Sequence, residues 1–174
     1  MKIRKQDLTN EESIYLTTYQ EKASYFRGRL IEVSISVEMK LAEIFTNFFN
    51  HDEIKQKFIL SSVFTNAGLS FASKAHILTE LLAQFFPQLL QLYPTITQEI
   101  NSLVQLRSVI DHSMTDASNE FIRQRHGDRV QLIYFADGQR RLLTMTDTEF
   151  NSHIRMISVV LVSLDHIKSS MHVN

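Results

Sequence analysis

The segment Leu106-Arg107-Ser108-Val109-Ile110-Asp111-His112-Ser113 carries the residue types for one kind of chemistry. Arg107 and His112 stand in an R-x-x-x-x-H spacing, at the end of an apolar run and before a polar stretch. A histidine can take the proton of a ribose 2′-hydroxyl or return one to a leaving 5′-oxygen, because imidazole titrates near neutrality. An arginine can grip the phosphate with a planar fork of donors and stabilise the added negative charge of the transition state. The pair therefore suits cleavage of an RNA backbone without a metal or other cofactor. An ordinary reading stands beside it. Arg107 and Asp111 are i,i+4, the spacing of a helix-surface ion pair worth ~0.3–0.5 kcal/mol. On a regular helix, residues five apart lie ~140° round the axis. Arg107 and His112 then converge only through the reach of Arg107, a loosened helix end, or a copy supplied by a second subunit.

Other chemistries find little support. The chain of 174 residues has no Cys, which excludes a disulfide framework, a Cys-ligated zinc and a thiol nucleophile. The phosphate-binding glycine patterns, the G-x-S-x-G elbow and H-E-x-x-H are all missing. The seven His are scattered singly, with no zinc-like spacing. His51, His76, His153 and His166 read as solvated or edge-of-core residues, and His172 belongs to a frayed tail. The formal net charge of −1 gives no global argument for nucleic acid, so any such argument must be local.

The elements that must position Arg107 and His112 are mostly helical. Four Gly and two Pro are too few for a sandwich, barrel or propeller. Thr9-Asn10-Glu11-Glu12 has capping-box form and predicts a helix from about Asn10, with Gly28 as its bend or break. Leu30, Val33, Val37, Leu41, Ile44 and Phe48 then make one apolar stripe, widened by Ile31, Ile35, Phe45 and Phe49. A short helix follows over 52–63, broken at Asn66-Ala67-Gly68. Another begins at 70–73 and ends or kinks at Pro87. Thr95 and Gln98 suggest a second capping box for the helix that carries Arg107, which should fray near 113–115. Val130 to Phe135 and Arg140 to Thr146, joined by Asp137-Gly138, read as a hairpin with a type I′ turn. Thr146 and Glu149 cap the last helix, whose stripe is Phe150, Ile154, Ile157, Leu161, Leu164 and Ile167. The expected architecture is mainly all-α: one domain over 1–174, an antiparallel helical bundle with a single β-hairpin at about 130–146, inserted before the last helix.

Two further features bear on the site. Arg123, Arg125, Arg129, Arg140 and Arg141 fall within 19 positions, with Asp128 and Asp137 opposing. A hairpin would bring Arg129 near Arg140 and Arg141 and make an RNA-backbone patch. A charged hairpin edge that resists aggregation is the plainer account. Tyr134 and Phe135 are the aromatics interleaved there, which leaves base stacking thinly supported. Glu38 interrupts an apolar helix and is read as facing water, or else the Arg/His cleft.

The placement of Arg107 and His112 resembles the HEPN superfamily, small helical domains whose shared motif is R-x4-6-H late in the bundle. The Leu30–Phe49 helix, the Lys74–Leu82 helix, the hairpin and the closing helix look like one bacterial HEPN-like branch, over about residues 25–168. Ser108 stands where the family usually has Asn, Asp or His, and Asp111 where a small residue is common. The resemblance implies a homodimer with two Arg/His pairs across a cleft. In such an endoribonuclease His112 would be the acid/base and Arg107 the phosphate clamp. Ser108 and Asp111 would orient them, and the products would carry 2′,3′-cyclic phosphate ends. Asp111 could instead occupy Arg107 and repel phosphate. Some family members are toxins or defence proteins held by an antitoxin; others are non-catalytic regulatory or protein-interaction modules. With no secretory signal and no membrane span read in the chain, a cytoplasmic location is the expectation.

Overall fold

The computed structural model describes residues 8–49, 52–64, 69–124 and 128–171. In chain order these form α1 (Asn10–Phe49), α2 (Glu53–Ile59) running into a π-helical turn (Leu60–Phe64), α3 (Phe71–Phe85), α4 (Pro87–Leu92) and α5 (Ile96–Asp111). Then come β1 (Met114–Thr115), α6 (Asn119–Gln124), β2 (Arg129–Ala136), β3 (Gln139–Thr146) and α7 (Asp147–Ser170). The class is mainly α, as the sequence implies, with a small antiparallel sheet before the last helix. No described helix is long and apolar enough to cross a membrane. The predicted break at Asn66-Ala67-Gly68 lies outside the described residues.

Local signals fix most helix ends. The Thr9 N–H donates to Glu12 Oε2 at 2.7 Å and the Glu12 N–H to Thr9 Oγ1 at 3.2 Å, a closed capping box. The same reciprocal pair starts α7, at 2.8 and 3.2 Å between Thr146 and Glu149. Ser70 caps α3 through the Ser73 N–H, and Pro87 opens α4 where its missing N–H costs nothing. At α5 the expected Thr95/Gln98 box gives way to Glu99, whose carboxylate accepts from the Thr95 hydroxyl at 3.1 Å. The predicted break at Gly28 does not occur. A Cβ there would meet nothing, so this is an open helix position. Its ~1 kcal/mol propensity cost is outweighed by the neighbours it connects, with Phe26, Leu30, Val37, Leu41, Ile44 and Phe45 all buried. Ile35 and Phe49 are exposed, so the stripe widens through Phe45 and not through them.

The chain forms two compact units and passes between them within α1, α5 and α7. One holds the residues up to Ile31 together with Arg107–His153; the other holds Glu32–Leu106 and the residues from Ile154 onward.

In the first unit, the two-residue loop Asp137-Gly138 has φ of 53° and 72°, the type I′ geometry that Asp-Gly favours. The hairpin is joined by a strand the sequence did not suggest. Met114 and Thr115, expected to be fraying chain, pair with Ile133 and Leu132 on the free edge of β2. Where β1 ends, the Asp116 N–H still reaches the Gln131 carbonyl at 2.9 Å. The Tyr19 hydroxyl completes that edge, donating to Gln131 O and accepting from Gln131 N, both at 3.0 Å. Burial foremost pushes the Tyr19 phenol up to about 12. Val130, Leu132 and Met145 give the sheet its buried face. The core continues in the tilted rings of Tyr19 and Phe121, 5.1 Å apart, and the stacked rings of Phe26 and Phe150 at 4.0 Å.

In the second unit, the Glu38 side chain does not face open water. Its Oε1 lies 2.6 Å from Lys74 Nζ, with the side chains 18% and 4% exposed. An amphipathic pattern cannot show this, because Lys74 lies in a helix whose neighbouring positions are apolar and buried. A more exposed network runs from Asp165 through Lys40 and Glu43 to Lys168, with contacts of 2.8–3.0 Å.

Candidate functional site

Every described candidate residue of the RNA reading lies in the first unit. Arg107 begins the last turn of α5, and its Nε stands 3.4 Å from Asp111 Oδ2. The i,i+4 ion pair read from the spacing is therefore formed. Ser108 is exposed on the same helix. His112 follows the helix in a turn and is also exposed. The helix end is loosened there. The His112 N–H reaches Ser108 O at 3.4 Å, and the Ser113 N–H turns back to Ile110 O at 3.3 Å in a tighter, 3₁₀-type bond. Buried Ser113 adds its hydroxyl to the same carbonyl at 2.9 Å. Two donors on Ile110 O thus turn the chain into β1, leaving His112 at the junction of helix and sheet. The imidazole is open to a substrate and Arg107 is engaged by a carboxylate.

The arginines are dispersed. Arg123 pairs with Glu12 at 3.6 Å and Arg129 with Asp128 at 3.8 Å. Arg125 lies outside the described residues. The register sets Arg129 opposite Thr146, at the open end of the hairpin. Arg140 and Arg141 stand opposite Phe135 and Tyr134, beside the turn. At ~3.3 Å per residue, six positions separate Arg129 from Phe135 by ~20 Å. The expected juxtaposition of Arg129 with Arg140 and Arg141 is absent, because a hairpin closed at Asp137-Gly138 brings its far ends together and not its middle to its end. Strand alternation also sends Arg140 and Arg141 to opposite faces, with Arg129 on the face of Arg140.

A residue the sequence reading missed holds Arg140. Asp116 is buried, and its Oδ2 accepts from the Gln131 amide at 2.7 Å and faces Arg140 at 3.6 Å. Its Oδ1 accepts from the Ser118 N–H at 3.0 Å, an Asx turn legible in Asp-x-Ser.

No family model, curated protein or solved structure matches the chain.

His166 Nδ1 meets the Tyr93 hydroxyl at 3.2 Å. His51, His126 and His172 lie outside the described residues. Among the described residues no three His, Asp or Glu side chains gather as a metal site. His153 is half-buried at the start of α7, and burial, only partly offset by Glu149, holds its imidazole below the usual 6.5. A depressed folded value means that the contribution to stability is complete above 6.5 and is lost as pH falls through the folded value. Thermal unfolding between about pH 7.5 and about pH 5.5 should show a fall in Tm that is shallower in His153→Gln. An unchanged pH slope in that variant would place the acid sensitivity elsewhere.

Proposed function

We propose that this chain is an RNA-binding protein of the HEPN-like kind. It acts as a metal-independent endoribonuclease in which His112 moves the proton and Arg107 holds the scissile phosphate. The observation that supports this reading is the exposed imidazole at the opened end of α5. It lies five residues beyond Arg107, in the same compact unit as the exposed Arg123, Arg129, Arg140 and Arg141. Loosening of that helix end meets part of the geometric demand that five-residue spacing imposes. A homodimer would meet the rest by setting two Arg/His pairs across one cleft. Such a cytoplasmic enzyme would be of toxin or defence type, held in check by an antitoxin or regulatory protein.

The test is cleavage of single-stranded RNA by purified protein in the presence of a metal chelator. Products should carry 2′,3′-cyclic phosphate ends. Arg107→Ala and His112→Ala should each abolish cleavage with Tm almost unmoved, since neither side chain is buried. Expression of the wild type, but not of those variants, should slow bacterial growth. The Arg107–Asp111 contact at 3.4 Å favours a second reading, a non-catalytic regulatory module of the same fold. In that case the same variants would spare growth, and RNA affinity would follow the exposed arginines with a steep salt dependence.

A further inference from the structure

β3 is an outer strand of the sheet in the first unit, whose order is β1-β2-β3. The two-residue turn makes Ala136 and Gln139 a hydrogen-bonded pair, so Gln139, Arg141, Leu143 and Met145 bond to β2. The alternate residues Arg140, Leu142, Thr144 and Thr146 turn their N–H and C=O groups to the open edge. Thr146 marks that direction, because its N–H goes to Glu149 Oε2 at 2.8 Å and not to β2. Among the described residues, no backbone bond reaches the edge at Arg140, Leu142 or Thr144. All three are exposed, Leu142 by 52%. Charge at Arg140 and Arg141 guards only the turn end, and Leu142, Leu143 and Thr144 leave an uncharged middle that can template another strand.

The two ends of this edge carry opposite charge. Arg140 stands at the turn end, 56% exposed, with Asp116 on one side at 3.6 Å. At the other end the exposed Glu149 carboxylate is held on the backbone and hydroxyl of Thr146. Arg129 and His153 act on that carboxylate through charge, and Asp128 offsets Arg129 at 3.8 Å. An edge that is positive at one end and negative at the other complements itself when a copy runs antiparallel.

We infer that this edge seats a second copy of the chain, with β3 pairing antiparallel to the partner's β3 about a two-fold axis at Leu142. The inference does not rest on the RNA reading. Leu142 faces the partner's Leu142, Arg140 the partner's Thr144, and Arg141 the partner's Leu143. The three open residues of each copy exchange six backbone hydrogen bonds across the axis. Arg140 comes diagonal to the partner's Thr146, within side-chain reach of the partner's Glu149. The row Met114, Ile133 and Leu142 meets its own image and continues across six strands. An axis at Arg140 or Arg141 would set like charges directly opposite. An axis at Leu143 would set Arg140 against Thr146, whose N–H is already taken, and would break the apolar row. At the limit of the overlap Asp137 approaches the partner's Asp147, a residue that Lys22 already pairs at 2.7 Å. β1, which follows His112, lies at the opposite edge, so this contact is separate from any pairing of Arg/His segments.

The chain has no Cys, so a single introduced thiol reports the register. Leu142→Cys should give a disulfide-linked dimer on mild oxidation, because a hydrogen-bonded pair sets its Cα atoms ~5.5 Å apart. Thr144→Cys should resist, since the partner's Thr144 lies four residues along, ~14 Å away. Both positions are exposed, and both variants should keep the wild-type Tm. In sedimentation equilibrium, Arg140→Glu should weaken self-association about tenfold, because two contacts per dimer turn repulsive. The loss should be smaller in a Glu149→Gln background, which keeps the cap and removes the charge. Equal cross-linking at the two positions, or none at either, overturns the proposal. So does association indifferent to Arg140→Glu, which would place the contact elsewhere on the molecule, and so does a protein that stays monomeric at the highest concentration tested.

Discussion

Replacing Glu38 by Ala should lower the unfolding free energy by about 3 kcal/mol, a fall in Tm of roughly 6–12 °C for a chain of this size. The reason is the ammonium left behind. Lys74 Nζ is 2.6 Å from the Glu38 carboxylate and its side chain is only 4% exposed, so water cannot replace the lost partner. Glu43 provides the contrast. It touches Lys40 and Lys168 at 3.0 and 2.8 Å, but its side chain is 35% exposed, and solvent screens the pairs to about 1 kcal/mol or less. Burial raises the Glu43 carboxyl, yet hydrogen bonds and charge from Lys168 and Lys40 outweigh it and hold it below the usual 4.5. The Glu43 contribution is therefore complete above 4.5 and is lost as pH falls through the folded value. The double variant Glu38→Leu/Lys74→Met should recover most of the loss, because an apolar pair of similar volume avoids burying charge at all. Urea melts of the three proteins decide the matter. A cost below about 1 kcal/mol for Glu38→Ala alone would mean that water reaches Lys74 on unpairing.

Glu38 also illustrates what sequence can and cannot carry. Helix periodicity and capping are local, and they located α1, α3, α5, α7 and the hairpin turn from residues a few positions apart. Thr9 with Glu12, Thr146 with Glu149, and Asp137-Gly138 each close their bonds within four residues. The misses are contacts between distant segments. Glu38 finds Lys74 36 positions away, and Tyr19 finds Gln131 112 positions away. β1 exists because two residues meet the open edge of β2, and a two-residue strand has no period to read. Gly28 failed as a break for the converse reason. A local preference of ~1 kcal/mol was overruled by burial on both sides of it.

The candidate site was legible in parts. The Arg107–Asp111 pair follows from i,i+4 spacing alone and is present. The exposed position of His112 follows from its place at a helix end. Arg129 was misplaced beside Arg140 and Arg141, although the register is set by the turn the sequence already contained. Counting outward from Asp137-Gly138 pairs Phe135 with Arg140 and leaves Arg129 for Thr146. The same alternation, applied to Val130 and Leu132, puts Phe135 on the opposite face. Its exposure was thus available from residues 130–135, whereas the burial of Asp116 under Gln131 and Arg140 was not.

Asp111→Asn should raise RNA cleavage about fivefold, while His112→Ala removes it by 10²–10⁴. The two effects have separate origins. In the resting protein the Asp111 carboxylate sits 3.4 Å from the Arg107 Nε and engages the guanidinium that the phosphate needs. It also places a negative charge beside an incoming anion, a repulsion worth about 1 kcal/mol at 4 Å in water. The amide keeps the shape of the side chain and removes both effects, so the gain should appear mostly in KM. His112 acts on the proton in transit, so its loss should appear in kcat with affinity for uncleavable RNA retained. Single-turnover rates across pH separate these cases. A fall in Asp111→Asn with a displaced pH profile would instead make Asp111 the orienter of the imidazole. Wild-type protein that binds RNA and never cuts it, with Asp111→Asn equally inert, would decide for the regulatory module. The ion pair would then be what keeps the Arg/His segment silent or merely seals the end of α5, and affinity in Asp111→Asn, higher or unchanged, tells these apart.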